Sequence, residues 1–209
     1  MMTLQQLLNF PAAPEVALLF MTCVVLLLEL FVKQKNSLLT YTASQLSLLI
    51  SLVLVSHLYR IPAQLLFHQH YIWDLVAYFI KLSILFFSIF AFVYARDALK
   101  HLGINSGEYY LLGLFSILGM LVLTSANSLL TLYLGLELLS FPLYALVALQ
   151  RKPSDAAEAA MKYFILGALA SGLFLYGLSL LYGATHSLII PTINQVLLQG
   201  GQSPILLTT

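Results

Sequence analysis

Six long apolar runs constrain this chain more than any other feature of its sequence. Each run is close to the roughly 20 apolar residues that an α-helix needs to cross a lipid bilayer. Because lipid offers the backbone no hydrogen-bond partners, such runs fold as membrane-spanning helices. We therefore predict an all-α, polytopic transmembrane helix bundle that lies in the lipid bilayer. The predicted helices are 12–33, 38–59, 72–95, 108–126, 127–149 and 157–182.

The composition supports this class of protein and argues against others. Hydrophobic residues make up 61% of the 209 residues and charged residues only 8%, whereas soluble domains carry about 25% charged residues. A net charge of +1 gives no basis for nucleic-acid binding. The single cysteine, Cys23, excludes a disulfide framework or a four-cysteine metal cluster within this chain. The N-terminus lacks the basic segment of a signal peptide, so we expect the first helix to be retained.

The basic residues of the loops predict an orientation. Three connections that share one side of the predicted bundle hold six of them, and the other side holds Arg60 alone. Cytoplasmic loops carry an excess of lysine and arginine. We therefore predict that both ends of the chain face outward. The six cytoplasmic residues are Lys33, Lys35, Arg96, Lys100, Arg151 and Lys152.

Glu137 lies almost at the midpoint of the fifth apolar run. A charge at the centre of a spanning helix costs about 2.5–3.5 kcal/mol on insertion scales, and intramembrane carboxylates usually serve function. Three polar residues share a helix face with Glu137, because they are spaced from it by one or two helical turns. They are Tyr133 (four residues before), Ser140 (three after) and Tyr144 (seven after). The stripe predicts a proton-carrying site centred on Glu137. A structural ion pair or a hydrogen-bonded staple between helices is the alternative.

Two lysines also fall within predicted helices. Lys162 lies about one turn inside the sixth helix, where it could carry protons, extend to the membrane surface or pair with Glu158 one turn earlier. Lys81 lies in the middle of the third, where an unpaired lysine is costly. It could titrate, or pair with Glu29 or Glu137. We include both lysines in the predicted proton path.

Several small or polar residues predict packing rather than chemistry. Gly167 and Ser171 form a small-xxx-small pair in the sixth helix, which lets helices approach closely. His68 and His70 could bind a metal ion, but two ligands are a weak signal, and we predict no metal site. A serine stripe in the second helix predicts hydrogen bonds between helices; its members are Ser44, Ser47 and Ser51.

Two strings, nearly consecutive in the chain, carry a resemblance to a known family. They are GEYYLLGLFSILGMLVLTSANSLLTLYLGLELLSFPLYALVAL and SDAAEAAMKYFILGALASGLFLYGLSLLYGATHSL. Together they resemble the subunit N family of bacterial NADH-quinone oxidoreductase (respiratory complex I), one of the antiporter-like membrane subunit families. The match covers residues 107–188 and is specific because it is long and nearly continuous. Residues 1–106 fit by hydropathy and topology, with weaker sequence likeness.

The resemblance implies a fold of paired inverted repeats, each with one broken helix, in the bacterial inner membrane. The N-terminus, predicted above to face outward, would then lie on the periplasmic side. It implies that Glu137 and Lys162 match the family's helix-five glutamate and helix-six lysine. The chain would be part of a proton-translocating subunit, although alone it would not translocate protons, and it would carry no catalytic, cofactor-binding or metal residues itself. NADH, FMN, iron–sulfur clusters and quinone would be bound by partner subunits, and its direct partners would be other membrane subunits of complex I.

The chain departs from the family in length, since family members are much longer. We therefore expect an N-terminal portion: 12–106 with helices one to three, 107–182 as the start of the first inverted repeat, and 183–209 as an outer loop entering a further helix. Two alternatives remain open. One is a subunit of a multi-subunit sodium/proton antiporter or membrane hydrogenase; the other is a non-transporting fragment that only scaffolds assembly.

Overall fold

Within the described residues of the computed structural model, six helices are long and apolar enough to cross a membrane, which confirms the predicted polytopic architecture. The structure describes residues 9–31, 37–102, 106–149 and 154–198. Four of the predicted cytoplasmic basic residues (Lys33, Lys35, Arg151 and Lys152) and the predicted further helix after Gly200 lie outside the described residues. The spanning helices are α1 (Ala13–Phe31), α2 (Ser37–His57), α3 (Leu75–Leu102), α4 (Ser106–Thr124), α5 (Leu129–Val147) and α6 (Ser154–Thr185).

Helix α4 lies at the centre of the bundle. It packs against α1, α2, α3 and α5, and its side chains Tyr110, Leu114 and Leu121 are completely buried. Helix α5 packs on α4, and α6 packs on α5. The polar face predicted on α5 therefore lies at the edge of the bundle, where α6 is its neighbour.

Two glycines allow α4 and α5 to approach closely. A Cβ atom added to Gly119 would lie 2.4 Å from the backbone nitrogen of Leu139, and one added to Gly135 would lie 2.9 Å from that of Leu123. The Gly119 contact lies beside Leu138. In a regular helix, the carbonyl of Leu138 would accept a hydrogen bond from the backbone N–H of residue 142. Residue 142 is a buried proline, which has no N–H to donate. Helix α5 nevertheless continues to Val147.

The serine stripe of α2 is buried, but it does not form the predicted hydrogen bonds between helices. Ser44, Ser47 and Ser51 each donate to the carbonyl four residues earlier in their own helix, at 2.8–2.9 Å. This bonding satisfies the hydroxyl within one helix. The prediction of interhelical bonds was therefore wrong.

A small β-hairpin lies between α2 and α3, where the sequence predicted a loop and the start of the third helix at residue 72. A 3-10 helix (Leu58–Arg60) leads into it. Its strands are β1 (Gln64–Leu66) and β2 (Tyr71–Trp73), antiparallel with Leu65 opposite Ile72. Three consecutive turn residues have positive φ angles: 51° at Phe67, 54° at His68 and 69° at Gln69. Left-handed backbone at a residue other than glycine costs about 1–3 kcal/mol, so tertiary contacts must hold the turn.

Asn127 supplies several of those contacts. Its side-chain Nδ2 donates to the carbonyl of Gln69 (2.7 Å), and its backbone N–H donates to the carbonyl of His70 (3.1 Å). Its own carbonyl accepts from Ile190 N (3.1 Å). The hairpin, the α4–α5 turn and the segment after α6 thus meet at one end of the bundle, which we call the hairpin end. A short helix, α7 (Ile190–Leu198), begins there, within the stretch predicted as a loop.

Candidate functional site

Glu137 lies near the middle of α5 and faces α6. The hydroxyl of Ser171, near the middle of α6, donates a hydrogen bond to Glu137 Oε1. The phenol of Tyr133, one helical turn before Glu137, interacts with the same carboxylate. The carboxyl group is partly buried. The structure therefore brings the predicted Glu137 and Tyr133 together, and adds a serine that the sequence predicted as packing only.

Two tyrosines of the stripe contact α6 on either side of Glu137. On one side of Glu137, the ring of Tyr133 stacks on that of Phe174 with centroids 6.1 Å apart and planes 14° apart. On the other side, the Tyr144 hydroxyl lies where a Cβ atom of Gly167 would be, only 2.0 Å from that position. Ser140 lies between them on the same face of α5. The predicted polar stripe is thus an interface between two helices.

Lys162 lies apart from Glu137 in this structure. Its Nζ is 2.5 Å from Glu158 Oε1 of the same helix, and both side chains are about two-thirds exposed, at 69% and 66%. The predicted local pair is therefore present. Because α6 begins at Ser154, Lys162 lies about two turns inside the helix rather than one.

Lys81 is completely buried and pairs with Glu15, not with Glu29 or Glu137 as the sequence suggested. The long side chain also donates to the hydroxyl of Tyr71 (2.7 Å). Its Nζ lies 4.8 Å from the ring centroid of Tyr71 and 5.0 Å from that of Trp73. The prediction of its partner was wrong because α3 begins at Leu75, so Lys81 lies towards the hairpin end and not at mid-membrane depth.

Tyr71 connects this buried pair to the end of the chain that precedes α1. Its hydroxyl lies within hydrogen-bonding distance of two acceptors, Pro11 O (3.0 Å) and Glu15 Oε1 (3.2 Å), and its one proton can be donated to either. Burial, and then the charge of Glu15, raise the pKa of Tyr71 well above its ordinary value. The phenol therefore stays protonated and remains a donor at physiological pH. We call Glu15, Tyr71, Trp73 and Lys81 the hairpin-end cluster.

Glu29 serves a different contact at the opposite end of the bundle. Thr40 Oγ1 donates to Glu29 Oε2 at 2.5 Å. A Cβ atom added to Gly107 would lie 2.0 Å from Glu29 Oε1, so the carboxylate sits against the first turn of α4. Backbone N–H groups in the first turn of a helix have no acceptor within that helix, and negative charge is favourable there. Glu29 thus joins α1, α2 and α4.

The two histidines considered for metal binding, His68 and His70, lie in different environments, one exposed and one beside a helix N-cap. His70 Nδ1 lies 2.8 Å from Ser128 Oγ, the N-cap of α5, whereas His68 is exposed. Across the described part of the chain, no three His, Cys, Asp or Glu side chains are grouped so that they could hold a metal ion.

The sequence did not reveal Glu15 and Ser171 as functional candidates. Glu15 was detectable in principle, since it is an acid just inside the first apolar run. The first and third runs were both predicted to begin on the outer side of the membrane, which places Glu15 on the same side as the start of the helix that carries Lys81. Ser171 gave no signal of its own, because the register between two helices cannot be read from either helix alone.

The fold of the bundle is similar to that of the antiporter-like membrane subunits, as comparisons with known proteins show. The family model described as "NADH:quinone oxidoreductase/Mrp antiporter, TM" matches residues 126–208. The fold is similar to a chain of respiratory complex I from Thermus thermophilus with bound aureothin, with a TM-score of 0.73 and 30% identity over 92% of this chain and 40% of that one. An archaeal membrane-bound sulfane sulfur reductase shares the fold at a TM-score of 0.72 and 23% identity, covering 90% of this chain and 40% of that one.

Within that class, the chain is similar to curated relatives named subunit N of NADH-quinone oxidoreductase, the family that its sequence resembles. The subunit from Thioalkalivibrio sulfidiphilus is 44% identical over 91% of this chain and 40% of its own length. The subunit from Halorhodospira halophila is 48% identical over 88% of this chain and 38% of its own length. The chain thus spans about two fifths of the length of these relatives.

Proposed function

We propose that this chain acts in a proton-translocating membrane subunit of NADH-quinone oxidoreductase, with Glu137 as its central proton-carrying group. The observation that carries this proposal is the carboxyl group near the middle of spanning helix α5, held by a hydroxyl from α6. A carboxyl group can take up and release one proton. In a low-dielectric site, its charge also responds strongly to charges that change nearby.

The polar stripe supplies a route from Glu137 towards the end of the bundle opposite the hairpin. Ser140 and Tyr144 follow Glu137 along α5, and the ring of Tyr144 lies 4.8 Å from that of Tyr163, the residue after Lys162. Hydroxyl groups can donate and accept at once, so with intervening water they can pass protons. Tyr133 lies on the hairpin side of Glu137, and Lys162 lies beside the route towards the opposite end of the bundle.

We place Lys81 in a second position, at the hairpin end. Its amine and the Glu15 carboxyl group share a hydrogen bond in a fully buried setting. Such a pair can gain one proton, which makes the carboxyl group neutral, or lose one, which makes the amine neutral. Either change of charge would act on the α1–α3 side of the bundle rather than on α6.

The partners and surroundings follow from the family. The subunit would lie in the bacterial inner membrane beside other membrane subunits of complex I, with the hairpin end facing the periplasm. NADH oxidation and quinone reduction would take place in partner subunits that bind FMN, iron–sulfur clusters and quinone. Within this chain, the proposed work is the movement of protons.

The substitution Glu137→Gln in the full complex tests the proposal. It removes the ionisable proton but keeps the side-chain shape and the hydrogen bond from Ser171. We expect NADH-driven proton pumping in membrane vesicles to fall by about tenfold or more, while the complex keeps its size on gentle solubilisation. Undiminished pumping by a fully assembled variant would contradict the role of Glu137.

Asp97→Asn is the matched control. It also neutralises one carboxylate, but Asp97 is 83% exposed and lies 3.8 Å from Lys100 on the surface of α3. We expect this variant to pump at the wild-type rate. A loss equal to that of Glu137→Gln would show that the assay reports general damage.

A sodium/proton antiporter subunit is the second candidate, since the matching family model covers both kinds of protein. The names of the relatives favour the first candidate. Separation of solubilised membranes by size distinguishes them. Co-migration of this chain with NADH-dehydrogenase activity in a large assembly supports complex I, and migration apart from that activity supports the antiporter.

A further inference from the structure

The hydroxyl of Ser171 bonds across a helix interface to a carboxylate, rather than to the backbone of its own helix. Serine and threonine hydroxyls within helices commonly bond to the carbonyl four residues earlier in their own helix. Ser44, Ser51 and Thr124 do so here, at 2.7–2.9 Å. Ser171 instead donates across the helix interface to the Glu137 carboxylate.

The contacts on either side hold Ser171 opposite Glu137. The Tyr133–Phe174 stack lies towards the hairpin end, and the Tyr144 hydroxyl fits against Gly167 towards the other end. Gly167 and Ser171 are one turn apart and both small, which lets the two helices come close. Gly172, the next residue, faces open space, with nothing within 4 Å of an added Cβ atom. The side of α6 that carries Ser171 is therefore the one built to meet α5.

We propose that Ser171 is a positioning residue, whose hydroxyl holds Glu137 Oε1 against α6 so that proton exchange takes place at the other carboxylate oxygen. This inference rests on the proposed function of Glu137. A hydroxyl donor to a carboxylate makes a strong, directional hydrogen bond. Ser171 keeps its own proton throughout and transfers none, so it acts only through the orientation of Glu137.

The experiment compares Ser171→Ala, Ser171→Thr and the control Ser179→Ala in the full complex in membranes. Ser179 lies on the same helix but donates to the carbonyl of Tyr176 (2.7 Å) and is exposed. Infrared difference spectra give the carboxyl band of Glu137, identified as the band that Glu137→Gln removes. NADH-driven pumping is measured on the same membranes.

We expect Ser171→Ala to shift the Glu137 band and to slow pumping by about tenfold, the effect of losing one hydrogen bond to a charged group. Ser171→Thr keeps the hydroxyl and should retain both the band position and most of the pumping. Ser179→Ala should change neither.

Three results would overturn the inference. The first is an unchanged Glu137 band in Ser171→Ala, and the second is an equal shift in Ser179→Ala. The third is a shifted band with pumping at the wild-type rate. Failure of the proposed function is recognised separately, because Glu137→Gln would then pump fully whatever Ser171→Ala does to the band.

Discussion

At the scale of single residues, the bundle contains two acidic side chains in opposite circumstances. Glu137 lies partly buried against hydroxyl groups, whereas Glu15 is 6% exposed and bound to a lysine. A carboxyl group held by hydroxyls can change its charge with little rearrangement. A carboxylate bound to a buried lysine cannot lose its partner without leaving a charge uncompensated.

This difference predicts how the hairpin-end cluster responds to substitution. Lys81→Met should destabilise the subunit by about 3–5 kcal/mol, because it leaves the Glu15 carboxylate buried and unpaired. Glu15→Gln combined with Lys81→Met should recover most of that loss, since neither side chain is then charged. The stability of the single and double variants is measured as the amount of the subunit that stays in the purified complex on heating.

The double variant also separates stability from transport at Lys81. If Lys81 carries protons as proposed, the double variant assembles but pumps more slowly than the wild type. Wild-type pumping by the assembled double variant would reduce the cluster to a purely structural role.

At the scale of elements, the contact between α4 and α5 depends on glycine. Gly119→Ala places a methyl group 2.4 Å from a backbone nitrogen of α5, and backbone cannot turn aside as a side chain can. The helices must separate, so we expect a loss of about 1–3 kcal/mol in stability. The thermal midpoint for dissociation of the purified complex measures it.

Gly172→Ala is the matched substitution on α6. Its added methyl group meets nothing within 4 Å, and alanine favours a helix over glycine by about 1 kcal/mol. We expect the midpoint to stay the same or to rise slightly. A fall as large as that of Gly119→Ala would show that helical glycines matter here for a reason other than close packing.

The elements also show what could be predicted from the sequence. The six spanning helices follow from the length of the apolar runs, and the polar face of α5 follows from the spacing of Tyr133, Glu137, Ser140 and Tyr144. The hairpin could not be foreseen, because its turn uses Phe67, His68 and Gln69 in left-handed conformations that normally call for glycine or asparagine. The partners Ser171 and Glu15 depend on how separate helices align, which hydropathy does not encode.

At the scale of the whole molecule, the described basic residues near the helix ends, apart from the paired Lys81 and Lys162, are distributed unequally between the two ends of the bundle. Arg96 and Lys100 lie in the last turns of α3, away from the hairpin, and Arg60 lies near the hairpin. Together with the loop residues of the sequence, this distribution favours a periplasmic hairpin end.

Labelling of single cysteines in intact cells checks this orientation. In a Cys23→Ser background, His68→Cys places a thiol on the exposed hairpin turn, and Lys100→Cys places one near the other end. We expect a membrane-impermeant maleimide to label the first variant in intact cells and the second only after permeabilisation. The reverse pattern would invert the proposed topology.

The three hydrogen bonds of Asn127 affect when the hairpin end can fold during synthesis of the chain. They join a turn at residues 69–70, the start of α5 and Ile190, stretches that leave the ribosome at widely separated times. The strained hairpin turn therefore emerges long before the residue that holds it, and Asn127 itself waits for its last partner until α6 has been synthesised. The hairpin end can close only after all six described spans exist, so its closure would mark the insertion of this six-helix portion into the membrane.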